Sequence, residues 1–317
     1  MNIVAVSDIH IMDKSPNKRP DYIETLNNKL LFLIDYIKNN NIDLLLLAGD
    51  VFDTPFILNK TLKQIIELFS EVKNKCKIIA VFGQHDLVYH SLQNADNSPL
   101  AVFLAAVEGY RATSNPLIFD NIAIYGMSWG EQIPNNLDTN KINLLLAHLT
   151  VVEKTKLFEG QEEVVFADKL LKNSKYNCII TGDNHQRFIT KYRNRYLINN
   201  GSVMRITTAQ KQHKPAFTHI KITDKIQEVK TVYFPIKQDV FIEVERVVDL
   251  KQKDNTQMDN LMQGMKQLIK DHDNLVRTFD FMEVLLNSLN KLTDKALKHY
   301  VNVVIDEYSK EHSKKEL

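Results

Sequence analysis

The chain has 317 residues, 44% of them hydrophobic, and a net charge of +1 from 40 basic and 39 acidic side chains. That balance excludes a disordered polymer and a globally basic nucleic-acid binder. Two cysteines, Cys76 and Cys178, exclude a disulfide-stapled scaffold and point to a reducing compartment, the cytoplasm. The longest apolar stretches, such as Leu44–Ala48 and Leu100–Val107, are too short to span a bilayer, and Met1–Val6 reads straight into a strand without a basic leader.

In chain order, strands are predicted at Ile3–Val6, Leu44–Ala48, Ile78–Phe82, Ile122–Tyr125, Leu144–Ala147 and Cys178–Thr181. Helices lie between them. Ile23, Leu26, Leu30, Leu33, Ile34 and Ile37 recur at helical spacing, as do Leu62, Ile65, Ile66, Phe69 and Val72. Near-continuous apolar strands alternating with helices argue an α/β fold with strands buried on both faces. Tyr196–Asn199, Ala216–Thr223 and Gln227–Phe234 follow as strands, the last two a hairpin turning at Asp224-Lys225. One more strand is predicted at Asp239–Val248 and a linker at Lys251–Gln257. Beyond them come helical stripes only, from Met258 to Tyr308.

Many of the apolar runs lead into a metal-ligand type. Ile3–Val6 leads to Asp8 and His10, Leu44–Ala48 to Asp50, and Ile78–Phe82 to Gln84, His85 and Asp86. Leu144–Ala147 leads to His148, and Cys178–Thr181 to Asp183 and His185. Loops from several strands converge at the carboxyl edge of an α/β sheet, so these side chains would assemble a nest of O and N donors. Such a set suits Mg²⁺, Mn²⁺, Fe or Zn²⁺, and the lack of thiolates argues against structural zinc. Only nine glycines occur, yet Gly49, Gly83 and Gly182 directly precede Asp50, Gln84 and Asp183. A single such turn is equally well an ordinary helix cap. Five together point to a metal site.

The series Asp8-x-His10, Gly49-Asp50-x-x-Asp53, Gly83-x-His85-Asp86, His148 and Gly182-x-x-His185 resembles the calcineurin-like metallophosphoesterases. The finer resemblance is to SbcD-type DNA repair nucleases and their phage recombination counterparts. It rests on Gly49-Asp50-Val51-Phe52-Asp53-Thr54, His148-Leu149-Thr150 and Asn200-Gly201-Ser202-Val203-Met204-Arg205. The resemblance implies a two-sheet α/β sandwich flanked by helices over 1–235, a cap strand and linker over 236–255, and a helical partner-docking region over 256–317. It implies two divalent cations, Mn²⁺ first and Mg²⁺ next, bridged by Asp50. Asp8, His10 and His185 would complete one site, and Gln84, His148 and Asp183 the other. His85 would contact the scissile phosphate as the catalytic residue. Two cations ~3.5–4 Å apart activate water and stabilise both oxygens of an in-line displacement at phosphorus. Gln84 and Asp183 depart from the family pattern, which has Asn and His there. The added carboxylate favours hard ions. Asp53 and Asp86 read as supporting carboxylates.

From Asn184 to Thr223 there is no acidic residue, while basic ones recur. Arg187, Arg193, Arg195 and Arg205 are therefore the candidate DNA contacts. No P-loop is present. The resemblance assigns that motor to an SbcC-type coiled-coil ATPase docked on the C-terminal helices, and includes a homodimer. Packing of those helices on the chain's own catalytic domain fits their stripes equally well. The resulting expectation is a DNA exo/endonuclease. Its alternatives are a small-substrate phosphodiesterase of the same fold, or a non-catalytic scaffold recruiting an ATPase.

Overall fold

The apolar runs form strands covered on both faces. The computed structural model describes residues 1–17, 19–155, 164–206, 210 and 212–236. The expected strand at 239–248 and the C-terminal helices lie outside the described residues. Strands β1 (Asn2–Val6), β2 (Leu44–Ala48) and β3 (Lys77–Val81) pair in parallel, with Ala5 opposite Leu46 and Leu46 opposite Ile79. A short β4 (Tyr110–Arg111) extends this sheet beyond β3.

The second sheet is built on β6 (Ile122–Met127), β7 (Ile142–His148), β10 (Cys178–Gly182) and β12 (Arg195–Asn199), all parallel. Its edges are the antiparallel β5 (Leu117–Phe119) and β11 (Phe188–Tyr192). The chain then returns to the first sheet as a hairpin, β13 (Ala216–Ile222) and β14 (Ile226–Tyr233), with β13 antiparallel to β1. Two six-stranded mixed sheets result. A short parallel pair, β8 (Val151–Val152) and β9 (Val165–Phe166), stands apart from them.

Strand alternation sorts the core into layers. Ile3, Ala5, Leu44 and Leu46 of the first sheet meet Leu144, Leu146, Ile180 and Ile198 of the second between the sheets. Val4, Val6, Leu45 and Leu47 face the other way, onto helices α1 (Tyr22–Asn39), α2 (Asn59–Ser70) and α3 (Pro99–Ala106). Leu145, Ile179 and Leu197 pack on α4 (Ala167–Asn173). The expected two-sheet sandwich flanked by helices is the observed architecture. Sequence periodicity missed α3, because Leu100–Val107 is apolar on every side. Ser98 caps that helix through Ala101 N at 3.3 Å, and Pro99 starts it. It also missed β11, a half-polar edge strand. Among the described residues no helix is long and apolar enough to cross a membrane.

Candidate metal centre

Five parallel strands, three from one sheet and two from the other, end at the same place. The loop after β1 runs beside the loop after β2, with Asp8 N–H donating to Gly49 O at 3.2 Å and His10 N–H to Asp50 O at 3.1 Å. In the second sheet His148 lies in register with Gly182. The sheets approach so closely here that a Cβ on Gly49 would meet the His148 ring, and one on Gly83 would meet the Asp50 carboxylate. Asp8, His10, Asp50 and Asp183 all adopt left-handed φ, at 50, 52, 49 and 81°. Such conformations cost roughly 1–3 kcal/mol each and concentrate at functional sites.

All seven residues expected as ligands converge. Asp50 Oδ2 lies 3.4 Å from His148 Nε2 and 4.0 Å from His10 Nε2, so one oxygen faces both halves of the cluster. In the first half, His10 Nε2 and His185 Nε2 are 3.2 Å apart, and Asp8 Oδ1 is 3.8 Å from His185 Nε2. In the second, His148 Nε2 lies 2.8 Å from Gln84 Oε1 and 3.8 Å from Asp183 Oδ1. Gln84 Nε2 donates to Asp183 Oδ1 at 2.8 Å, so the two residues that depart from the family pattern bond each other.

Surrounding groups aim these donors. His148 Nδ1 bonds Ala48 O at 2.8 Å, which turns Nε2 inward. Asp53 Oδ1 holds His10 Nδ1 at 3.1 Å, and its carbonyl holds His85 Nδ1 at 2.9 Å. Asp86 accepts the N–H groups of Phe52 and Gly83, both at 2.9 Å, and so ties together the loops after β2 and β3. Burial and the nearby Asp50 push its carboxyl up to about 7 against the pull of those N–H groups. Three further contacts support the ligands, and of these only Thr150 lay in a motif the sequence had singled out. The Tyr22 hydroxyl on α1 donates to His10 O at 2.9 Å, the Thr150 hydroxyl donates to Asp183, and the Gln210 amide nitrogen lies 3.1 Å from His185 Nδ1.

The donor set fits divalent cations. Two clusters, Asp8–His10–His185 and Asp8–Asp50–His148, each place their ligand atoms within 4.8 Å of one another. A third, His10–Asp53–His85, is already joined through its own hydrogen bonds. Asp8 Oδ2 is buried with no hydrogen-bond partner, a costly arrangement for a carboxylate that a cation would relieve. Oxygen and imidazole donors without thiolate suit hard or borderline ions.

Burial by itself would raise the Asp50 carboxyl, but His148, with His10 and His85 near it, holds it down at about 2. Burial would lower His148, but Asp50, then Asp8 and Asp183, lift it to about 10. The Asp50 contribution to stability is present above its ordinary value of 3.8 and is lost as pH falls through about 2. The His148 contribution is complete below its ordinary 6.5 and is lost as pH rises through about 10. The Asp86 carboxyl, raised to about 7, loses its contribution as pH rises from about 4 to 7, so the metal-free protein should show its highest melting temperature near pH 4. A cation must displace the His148 proton, so Mn²⁺ affinity should rise about tenfold per pH unit between pH 6 and 8. Calorimetric titration across that range checks this; a pH-independent affinity would remove His148 from the ligand set.

The four arginines expected on DNA are not brought to one surface. Arg187 stands beside His185 and lines a cavity with it. Arg205 is buried, its carbonyl accepting from Arg19. Arg193 and Arg195 lie at the β11–β12 turn, over the Tyr192 ring at 5.3 and 5.2 Å. β12 runs parallel to β10, so that turn is at the sheet end opposite the metal centre. The separation is roughly 15 Å, one strand length. The acid-free stretch is continuous in sequence, but a hairpin carries its middle away from the site.

Comparison with known proteins follows from this geometry. None of the curated protein sequences matches the chain. The solved structures it resembles include an archaeal phosphodiesterase (TM-score 0.41, 15% identity, covering 74% of this chain and 100% of that one). A candidate 5'-nucleotidase from Staphylococcus aureus, solved with α-ketoglutarate, aligns at TM-score 0.47 and 13% identity over 77% of this chain, which spans 56% of that protein. A Vps29 variant from Entamoeba histolytica aligns at TM-score 0.35 and 14% identity over 74% of this chain and 100% of that one. The profile of the calcineurin-like phosphoesterase superfamily domain matches residues 1–225, the span that builds the two sheets up to the last strand, β14. The chain therefore belongs to the calcineurin-like phosphoesterase superfamily of metal-dependent phosphoester hydrolases.

Proposed function

We propose that this protein is a metal-dependent DNA nuclease, the phosphodiesterase subunit of an SbcCD-like repair or recombination complex. The observation that supports hydrolysis best is the single oxygen, Asp50 Oδ2, placed between His10 and His148. Asp50 is the shared ligand, with Asp8, His10 and His185 on one side and Gln84, His148 and Asp183 on the other. Bound there, two divalent cations, Mn²⁺ or Mg²⁺, supply water activation and charge neutralisation at phosphorus. The Gln84 amide spaces His148 from Asp183, and Thr150 holds the far oxygen of Asp183. His85, its Nδ1–H donating to the Asp53 carbonyl, would contact the scissile phosphate and, as the imidazolium, give its Nε2 proton to the leaving oxygen, ending as the neutral Nδ1–H tautomer.

DNA as substrate is supported by the SbcD-like segments at 49–54, 148–150 and 200–205. The stripes at 258–308 are the proposed docking surface for a coiled-coil ATPase. A second reading, a small-substrate phosphodiesterase, is favoured by the position of Arg193 and Arg195 away from the centre. Purified protein loaded with Mn²⁺ should degrade linear duplex DNA, and chelation should stop it. Turnover of small diesters alone would favour the second reading. Stoichiometric metal without any turnover would favour a scaffold.

A further inference from the structure

A cavity of about 800 Å³ opens beside the metal centre, lined by Asp183, His185, Arg187, His213, Lys214 and Tyr233 among others. Its volume lies within the range of small-ligand sites, of the order of 300–1,000 Å³. Two of its walls, Asp183 and His185, belong to the metal cluster. Tyr233, the last residue of β14, also lines it. That ring is 53% exposed and lies 5.9 Å from the Arg187 guanidinium.

Arg187 itself is held weakly. One of its terminal nitrogens donates to the Thr231 hydroxyl, while Nε is buried with no hydrogen-bond partner. An unsatisfied guanidinium N–H gains by turning into the cavity. It would exchange one hydrogen bond to a neutral hydroxyl for a bidentate pair with an anionic phosphate. Lys214, exposed on the cavity rim, adds a second cation, and among the described residues Asp183 is the one carboxylate in the lining. An aromatic face beside a poised arginine is what a single nucleic-acid strand uses: a base to stack, a phosphate to pair.

We propose that Arg187 and Tyr233 form a subsite for the nucleotide flanking the scissile phosphate. Arg187 clamps that nucleotide's phosphate and Tyr233 stacks its base. The subsite rests on the phosphodiesterase reading above and narrows it, because the protein then favours a polynucleotide strand over a mononucleotide or a simple diester.

Binding of a labelled single-stranded hexanucleotide to the full-length, metal-free protein tests this by fluorescence anisotropy across a salt series. Arg187→Gln should weaken binding about tenfold and make the slope of log K against log salt shallower by about 0.7. Tyr233→Ala should weaken it by a similar factor with the slope intact, since stacking releases no counterions. Arg187→Lys, which keeps the charge without the fork, should fall between wild type and Arg187→Gln in affinity and keep the slope. In turnover, the ratio of kcat/KM on a trinucleotide to kcat/KM on a small chromogenic diester should fall about tenfold in Arg187→Gln. Unchanged hexanucleotide affinity in Arg187→Gln overturns the subsite, as does an equal loss on both substrates. Arg187-dependent binding by a wild-type protein that cleaves no nucleic acid leaves the subsite standing and removes the nuclease reading instead.

Discussion

Asp50→Asn should reduce metal-dependent phosphodiester hydrolysis on the order of 100-fold or more, since it weakens a carboxylate whose Oδ2 faces His10 on one side and His148 on the other. The fold should survive the change. Asp50 sits at φ 49°, a left-handed conformation that Asn tolerates as well as Asp does. An Asn carbonyl oxygen can still accept the His85 N–H, now 3.0 Å from Asp50 Oδ1. The charge is what disappears, and with it the support that lifts His148 to about 10. The metal-free variant should therefore show a smaller decline in stability with rising pH above 6.5 than wild type, because only Asp8 and Asp183 are left to hold the His148 proton. Activity measured in Mn²⁺, metal content and melting temperature against pH check these together. Retention of more than a few per cent of wild-type turnover with two ions bound would show that Asp50 is not shared between them.

His85→Ala should keep the metals and lose ~10²- to 10⁴-fold in turnover, the range expected for a positioned general acid. The reasoning is local. The contact between residue 85 and Asp50 is made by a backbone N–H, which alanine retains. The imidazole hangs from the Asp53 carbonyl through Nδ1, leaving Nε2 for the substrate, and its ring meets the His10 ring edge-on at 5.1 Å. The loss should be largest for substrates with poor leaving groups and small for an activated aryl ester, because an aryl oxide leaves without a proton. A drop in bound metal in His85→Ala would place His85 among the ligands with His10 and Asp53, the third cluster the geometry permits.

Much of this site was legible before any fold was known. Asp and His recur at the ends of apolar runs, and parallel strands deliver their carboxyl ends to one edge. Strand position named Asp8, His10, Asp50, Gln84, His85, Asp86, His148, Asp183 and His185 as candidate donors; the family resemblance then implied which seven are ligands and set His85 apart, with Asp53 and Asp86 read as supports. Periodicity likewise located β1, β2, β3, β6, β7, β10 and α1, because strands buried on both faces and a helix buried on one leave clear apolar patterns.

Tertiary structure decided the remainder. Composition cannot show that Asp8, His10, Asp50 and Asp183 sit in left-handed backbone, since the strain is imposed by two sheets meeting at Gly49, Gly83 and Gly182. Tyr22, Thr150 and Gln210 support the ligands from a helix, a loop and a distant segment, with no spacing rule to reveal them. The acid-free stretch from Asn184 to Thr223 shows the limit most clearly. In sequence its arginines form one basic run. In space, the β11–β12 hairpin sends Arg193 and Arg195 to the far end of the sheet and leaves Arg187 beside the metal centre, while Arg205 is buried with its carbonyl on Arg19. The sequence by itself determined which residue types end each strand, and hence the chemistry on offer. Only the pairing of strands determined which charges share a surface, because a hairpin reverses direction after a few residues and local composition carries no record of where it points.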